Sequence, residues 1–262
     1  IYIDRNMLPD NLITNEQWSI ETYFRLLMID ILPESVDRIL YLDVDTIVHK
    51  NISELFNIDF NGNFICAAPD CNGMTESLGI FKEKQKEMFS PFLKKGFIYF
   101  NAGVMLYNME SIREIYNFDS YLKAMYEWEF QIPANDQDIL NYVYHDKVLY
   151  IPWEKYDLFA HLAYYNGISR DGAEKASIIH FSGLKPWDAS TIHFDTEAIW
   201  WNYAKKTDIY YDLADKYIMQ MTSDRKLELY NTYLLNKISE QENTINTLIA
   251  ASQELIEKLK YN

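Results

Sequence analysis

Two aspartates, Asp43 and Asp45, directly follow the apolar run 38–42, which is typical of a buried strand. Because Val44 would point to the opposite side of an extended chain, the two carboxylates can face one cation. Carboxylate oxygens that leave room for water suit Mg²⁺ or Mn²⁺. An acid-x-acid triplet arises by chance about six times in a chain with this acid content, so the pair alone fits a solvated strand end equally well.

A histidine ends a second apolar run, and its surroundings suggest phosphate chemistry. His180 follows 177–179 and precedes Gly183 and Lys185. One interpretation is a hydrogen-bonded core histidine. The other is a metal ligand, and an imidazole beside two carboxylates favours Mn²⁺. Gly183 would permit close backbone approach, and Lys185 could meet a phosphate as a point charge, so the segment could bind a diphosphate.

Other polar positions have a structural and a functional interpretation. The segment 136–138, Asp-Gln-Asp, begins a predicted helix, where acids interact favourably with the helix dipole. Asn101 could be a turn residue between strands, and Arg25 could form a surface salt bridge. Asp70 follows a predicted strand.

Strands alternate with helices along the first two thirds of the chain. This pattern indicates an α/β fold with a mixed, mostly parallel sheet and helices on both faces. Strands are predicted at 1–4, 38–42, 64–68, 98–107 (a pair, or one strand bent at Gly103), 148–151 and 177–181. Helices are predicted at 20–31, 75–89, 112–128 and 136–144. Ligands bind at the carboxyl ends of strands in such sheets, where the polar residues above lie.

The character of the chain changes after residue 198. An aromatic stretch follows, and from Leu227 onward apolar residues fall mostly at a/d spacing, with Gln241 and Ser252 filling two of these positions. The pattern predicts domains at 1–198 and 199–262, the second a helical extension with a coiled-coil-like seam. The extension has 8 Lys and Arg against 9 Asp and Glu, so attraction to anionic lipid should be weak. Self-association or packing on the body is favoured over membrane contact through Trp200 and Trp201.

Composition excludes several classes of protein. The formal charge of 24 − 39 = −15 argues against a nucleic-acid binder, whose affinity depends on Lys and Arg. Two cysteines, Cys66 and Cys71, do not make a disulfide scaffold and indicate a reducing compartment. No apolar stretch reaches the length of a spanning helix. We expect a cytoplasmic protein, peripheral at the inner face of the membrane at most.

Four motifs in order resemble the family 8 glycosyltransferases, which include bacterial lipopolysaccharide α-galactosyl- and glucosyltransferases. The motifs are RILYLDVDTIV at 38–48, YFNAGV at 99–104, DQDILN at 136–141 and HFSGLKPW at 180–187. The resemblance covers roughly residues 1–190. It implies a GT-A fold, UDP-glucose or UDP-galactose as the donor, Mn²⁺ or Mg²⁺ as the cofactor, and retention at the anomeric carbon.

The resemblance also implies roles for single residues. Asp43, Asp45 and His180 match the metal ligands. The positions that match donor contacts are Arg25, Asp70, Asn101, Asp136, Gln137, Gly183 and Lys185. Gln137 and Asp138 match positions discussed as catalytic. In one route, one of these two side chains is a nucleophile at the anomeric carbon. In the alternative, front-face attack, the acceptor hydroxyl enters beside the departing UDP. The sequence leaves both routes open.

The chain departs from the family at its start. Family members begin with a βαβ region that holds uracil and ribose, and Ile1 enters after it, so about 60 residues of this kind are expected to be absent. The main prediction is a hexosyltransferase acting on a glycan, lipid-linked or protein acceptor. The alternatives are a non-catalytic sugar-nucleotide-binding relative that assembles through its C-terminal helix, and a metal-dependent phosphohydrolase.

Overall fold

The computed structural model describes residues 4–10, 12, 19–70, 83–222 and 224–260, and the side chains of these except 224–227 and 254–260. The strands are β1 Arg38–Leu42, β2 Thr46–Val48, β3 Ile65–Pro69, β4 Phe100–Asn108, β5 Val148–Tyr150, β6 Leu158–Phe159 and β7 Ile178–His180. The helices are α1 Met28–Ile31, α2 Ser53–Phe56, α3 Glu83–Leu93, α4 Met109–Arg113, α5 Phe118–Glu127, α6 Asn135–Tyr144, α7 Trp153–Tyr156, α8 Ala160–Tyr165, α9 Arg170–Ala173, α10 Glu197–Ala204, α11 Tyr210–Met221 and α12 Asp224–Lys260, with 3₁₀ helices at Arg5–Met7 and Ile20–Leu27.

The strands form two mixed sheets, in the orders β1-β4-β3-β5 and β2-β7-β6. β4 runs antiparallel to β1 and β3, whereas β5 is parallel to β3. In the smaller sheet β2 is antiparallel to β7 and β6 is parallel to it. The predicted α/β fold with a mixed sheet is confirmed. Among the described strands, antiparallel pairings outnumber parallel ones by three to two because β4 runs against both its neighbours.

The pairing of the larger sheet brings the ends of β1 and β3 close together along β4. Leu42 at the end of β1 pairs with Val104, and Pro69 at the end of β3 pairs with Phe100. The carboxyl ends of β1 and β3 therefore lie along the amino-terminal half of β4. β4 is buried along residues 100–107, and packing on both of its faces makes it a rigid support for the residues at this edge.

Several predicted elements differ from the structure in detail. The predicted helix at 20–31 is a 3₁₀ helix as far as Leu27 and becomes α-helical only at α1. The predicted helix at 112–128 is two helices, α4 and α5, because Asn117 and Ser120 form a capping box that starts α5 afresh. Residues 98–107 give one strand, β4, which continues through Gly103. Most of the predicted strand at 1–4 lies outside the described residues. So do Cys71 and the first part of the predicted helix at 75–89.

The chain divides into two compact units, Ile1–His180 and Phe181–Asn262. The first holds both sheets and the apolar core. The second holds α10, α11 and α12, of which α12 is a continuous helix of 37 residues. Among the described residues, no helix combines the length and the apolar character needed to cross a bilayer. The predicted domain boundary at residue 198 stays a prediction.

Candidate functional site

Asp43, Asp45 and His180, which we call the metal-ligand cluster, meet where the two sheets approach each other. Asp43 follows β1, Asp45 precedes β2, and His180 is aligned with Thr46 by the pairing of β7 with β2. Nε2 of His180 lies 3.3 Å from Oδ1 of Asp45 and 3.9 Å from Oδ2 of Asp43. One ligand atom from each residue lies within 4.8 Å of the other two. The structure thus brings together the three residues predicted to bind a metal, while Val44 is fully exposed.

A buried acid, Asp157, orients the ring of His180. Nδ1 of His180 lies 2.9 Å from Oδ1 of Asp157, which has no exposed surface in its side chain. When Nδ1 donates this hydrogen bond, Nε2 is left to face the two aspartates. Burial alone would lower the pKa of His180, but hydrogen bonds and charge from Asp157 and Asp45 outweigh it and raise the pKa to about 10. A divalent cation would replace the proton that the two acids otherwise hold on the ring.

Gly103 leaves open the space between the ligands. A Cβ atom at this position would lie 2.4 Å from Cε1 of His180, 2.8 Å from Oδ2 of Asp43 and 2.9 Å from Oδ1 of Asn101. Real Cβ atoms essentially never make such contacts, so any side chain here would displace the cluster. Two carboxylates, an imidazole and a position kept free of side chain fit a divalent cation of the Mg²⁺ or Mn²⁺ type.

Arg25 connects the metal-ligand cluster to α6. Its side chain is only 8% exposed, with Nη2 3.1 Å from Oδ1 of Asp43 and Nε 2.7 Å from Oδ2 of Asp136. It also donates to the carbonyl of Ala102, and its guanidinium lies 3.9 Å from the centre of the Tyr41 ring. Burial raises the pKa of Asp136 to about 6 against the opposing charge of Arg25. The alternative of a surface salt bridge for Arg25 is therefore wrong.

Asp70, Asn101 and Gln137 form a second group, the acid–amide cluster, next to Gly103. Nδ2 of Asn101 donates to Oδ2 of Asp70 at 3.0 Å, and Oε1 of Gln137 accepts from the backbone N–H of Ala102 at 3.0 Å. Nε2 of Gln137 donates to Asp70 at 3.5 Å. The strand ends and α6 thus gather one carboxylate and two amides, which can both donate to and accept from the hydroxyl groups of a sugar.

Asp138 lies beneath this group and is completely buried. Its Oδ1 accepts from the hydroxyl of Tyr99 at 2.6 Å and from Nε2 of Gln85 at 2.9 Å. Its Oδ2 accepts from the backbone N–H of Ala134 at 2.7 Å. These three donors hold the carboxylate in place at the start of α6. The catalytic assignment of Gln137 and Asp138 stays a prediction.

Two predicted donor contacts, Gly183 and Lys185, lie in the second unit. Gly183 has a φ of 77°, the left-handed region that favours glycine, and Nζ of Lys185 donates to the carbonyl of Phe181 at 2.9 Å. Their predicted contact with a diphosphate stays a prediction.

Sequence reasoning missed four residues that shape the site: Gln85, Tyr99, Gly103 and Asp157. The signal for Asp157 was available, because an acid within the apolar segment 156–160 is buried only when it is paired. The roles of Gln85 and Tyr99 depend on contacts with α6, more than 35 residues away in sequence, and have no local signal.

Replacement of Asp157 by Ala should weaken Mn²⁺ binding by about 10- to 100-fold, because Nδ1 of His180 loses the acceptor that orients the ring. Asp157→Asn should lose less Mn²⁺ affinity than Asp157→Ala, because its amide oxygen can still accept the hydrogen bond from Nδ1 of His180. The measurement is Mn²⁺ titration by the electron paramagnetic resonance of the free ion, with the exposed Asp59→Asn as the control. Wild-type Mn²⁺ affinity in folded Asp157→Ala would show that this acid does not position the ligand.

Comparisons with known proteins identify the family of the chain. Residues 3–191 match the model of glycosyl transferase family 8. The chain is 25% identical to the lipopolysaccharide 1,2-glucosyltransferase of Escherichia coli K12, over 67% of this chain and 52% of that protein. It is 28% identical to the lipopolysaccharide 1,3-galactosyltransferase of Salmonella typhimurium LT2, over 66% of this chain and 51% of that protein. The chain spans about half the length of these curated relatives.

The fold is similar to that of a solved glycosyltransferase structure. A crystal structure of the galactosyltransferase LgtC in complex with donor and acceptor sugar analogs superimposes with a TM-score of 0.54 at 23% sequence identity. The match covers 85% of this chain and 74% of that one. This likeness establishes the GT-A fold.

Proposed function

This chain belongs to glycosyl transferase family 8, and we propose that it is a retaining hexosyltransferase that uses a UDP-sugar. The sugar moved would be glucose or galactose, and the acceptor a glycan, a lipid-linked sugar or a protein. The observation that carries the proposal is the convergence of Asp43, Asp45 and His180 beside the acid–amide cluster. The metal-ligand cluster suits a diphosphate with its cation, and the acid–amide cluster suits the hydroxyl groups of a hexose.

Asp43, Asp45 and His180 would hold Mn²⁺ or Mg²⁺, and the imidazole favours Mn²⁺. When bound, the cation supplies Lewis-acid stabilisation for the charge that develops on the departing diphosphate. The space at Gly103 and the orientation of His180 by Asp157 support this assignment.

The acid–amide cluster, together with Asp136, would bind the donor hexose. Buried acids and amides discriminate well among sugars, because a hydroxyl that fails to pair with them leaves a polar group unsatisfied. Arg25 would act as a positioning residue, because it contacts Asp43 of the metal-ligand cluster and Asp136 of the proposed hexose site.

The contacts of Asp138 favour front-face attack over a double displacement on this carboxylate. A nucleophile needs an oxygen that can reach the anomeric carbon, and Asp138 is completely buried, with both oxygens hydrogen-bonded inside the protein. In the front-face route the bond from the anomeric carbon to the phosphate oxygen breaks, and its electron pair stays on that oxygen. The acceptor oxygen bonds to the same face of the sugar and passes its proton to the departing phosphate oxygen. Gln137 would line the sugar, and Asp138 would hold α6 in place.

A donor screen tests the proposed function. We expect the full-length protein to release UDP from UDP-glucose or UDP-galactose in the presence of Mn²⁺, and to lose this activity when EDTA removes the metal. Proton NMR of the glycosylated product should show the anomeric configuration of the donor. If no UDP-hexose is turned over although Mn²⁺ and UDP bind, the protein is a non-catalytic sugar-nucleotide-binding relative. Self-association, a cytoplasmic location and membrane contact stay predictions.

A further inference from the structure

α12 carries an apolar stripe that is exposed to solvent. Its a/d members Ile238, Ile245 and Leu248 are at least half exposed, as are Leu235 and Ile249 at the flanking e positions. The positions 234, 238, 241, 245, 248 and 252 are spaced alternately by four and three residues, which is the a/d spacing of a coiled coil. At 37 residues, α12 is about 55 Å long. The a/d series runs from 234 to 259, with polar residues at 241 and 252, and so covers between three and four heptads, the length expected of a coiled coil.

We propose that this stripe binds α12 of a second copy of the chain in a parallel, in-register, two-stranded coiled coil. The a positions include Ile238 and Ile245, and the d positions include Leu234 and Leu248. Isoleucine at a with leucine at d is the combination that favours parallel dimers. The inference is independent of the proposed catalytic function, because it concerns the second unit alone.

Charge placement supports the parallel orientation. Lys237 is at a g position and Glu242 is at the e position of the next heptad. In a parallel pair, Lys237 therefore faces Glu242 of the partner subunit. Because the dimer is two-fold symmetric, it contains two such ion pairs. Within one helix, Lys237 pairs with Glu240 at 2.6 Å, but both side chains are more than half exposed, so that pair contributes little.

Three polar residues at a/d positions of α12 set the register. Asn231 and Ser252 fill a positions, and Gln241 fills a d position. An in-register parallel pair places each of them opposite its own copy, where the polar groups can hydrogen-bond to each other. A shifted register would bury an amide against leucine or isoleucine, which is costly.

The charge of α12 does not favour a membrane as the occupant of this stripe. The helix has five Lys and Arg against six Asp and Glu, a net charge of 5 − 6 = −1. Amphipathic helices that bind anionic membranes are rich in Lys and Arg on their polar face.

Sedimentation of the full chain over a dilution series tests the dimer. We expect the mass of two chains at high concentration and dissociation on dilution. Ile245→Lys should abolish the dimer, whereas Asn246→Lys, which adds the same charge at the neighbouring b position, should retain it. A monomer at every concentration would overturn the proposal, as would equal dissociation by both variants. Binding of the monomer to phosphatidylglycerol vesicles that Ile245→Lys abolishes would assign the stripe to a membrane instead.

Charge reversal tests the orientation. Lys237→Glu and Glu242→Lys should each weaken dimerisation by about threefold to tenfold, because each creates two like-charged pairs. The double variant should restore the dimer, and Glu240→Lys, at an outer c position, should leave it unchanged. If the double variant is weaker than either single variant, the helices are not parallel and in register. UDP release provides a check on folding, since none of these residues belongs to the site.

Discussion

Asp45→Asn should lower Mn²⁺-dependent UDP release by about 100- to 1000-fold. The substitution replaces one of two carboxylates in the metal-ligand cluster by a neutral amide, which binds a hard cation more weakly. It also removes the charge that lies 3.3 Å from Nε2 of His180. The measurement is initial-rate UDP release at increasing Mn²⁺ concentration.

The matched control for this variant is Asp59→Asn, which removes one exposed acid and should keep the wild-type rate. Partial recovery of Asp45→Asn at high Mn²⁺ would fit weakened binding. A variant with the full rate at all Mn²⁺ concentrations would remove Asp45 from the ligand set.

Gly103→Ala should abolish measurable Mn²⁺ binding and lower UDP release by a similar factor. The added methyl group would meet His180 at 2.4 Å and Asp43 at 2.8 Å. β4 is a buried central strand, so the backbone cannot shift to relieve these contacts, and the ligands must move. Gly103 is not among the glycines with a positive φ, so the backbone itself accepts alanine and the effect is steric.

Gly62→Ala is the control for a general loss of stability. Gly62 has a φ of 78° and nothing within 4 Å of an added Cβ, so the substitution strains the turn by about 1 kcal/mol without touching the site. We expect it to lower the melting temperature and to keep Mn²⁺ affinity. Wild-type Mn²⁺ affinity in folded Gly103→Ala would contradict the role given to this glycine.

Local patterns in the sequence predicted the parts of the site that lie at the ends of regular elements. The apolar run 38–42 forms β1 and places Asp43 at its end, and the acids at 136–138 begin α6. His180 ends β7 as its apolar run indicated. These predictions succeed because strand and helix ends depend mainly on hydrophobic periodicity and on the residues that begin a helix.

The site contacts that local sequence patterns did not predict depend on residues that are far apart in sequence. Asp157 reaches His180 because β6 pairs with β7, which aligns Phe159 with His180. Arg25 is buried because Asp43 and Asp136, 18 and 111 residues away in sequence, both converge on it. No local pattern records such contacts.

Asp138 is a residue whose position in α6 was predicted but whose surroundings were not. Its place at the start of a helix suggested an acid that interacts with the helix dipole or takes part in catalysis. The structure shows it buried, with Tyr99, Gln85 and the backbone of Ala134 as hydrogen-bond donors, and its part in catalysis stays a prediction. Burial with three donors was not visible in the sequence, because two of the donors come from other elements.

Anomalous X-ray diffraction from crystals of the full-length protein grown with Mn²⁺ and UDP would test the metal assignment most directly. We predict a single strong manganese peak within ligand distance of the carboxylates of Asp43 and Asp45 and of Nε2 of His180. Absence of a peak there at saturating Mn²⁺, or a peak bound by other residues while these three remain without metal, would contradict it.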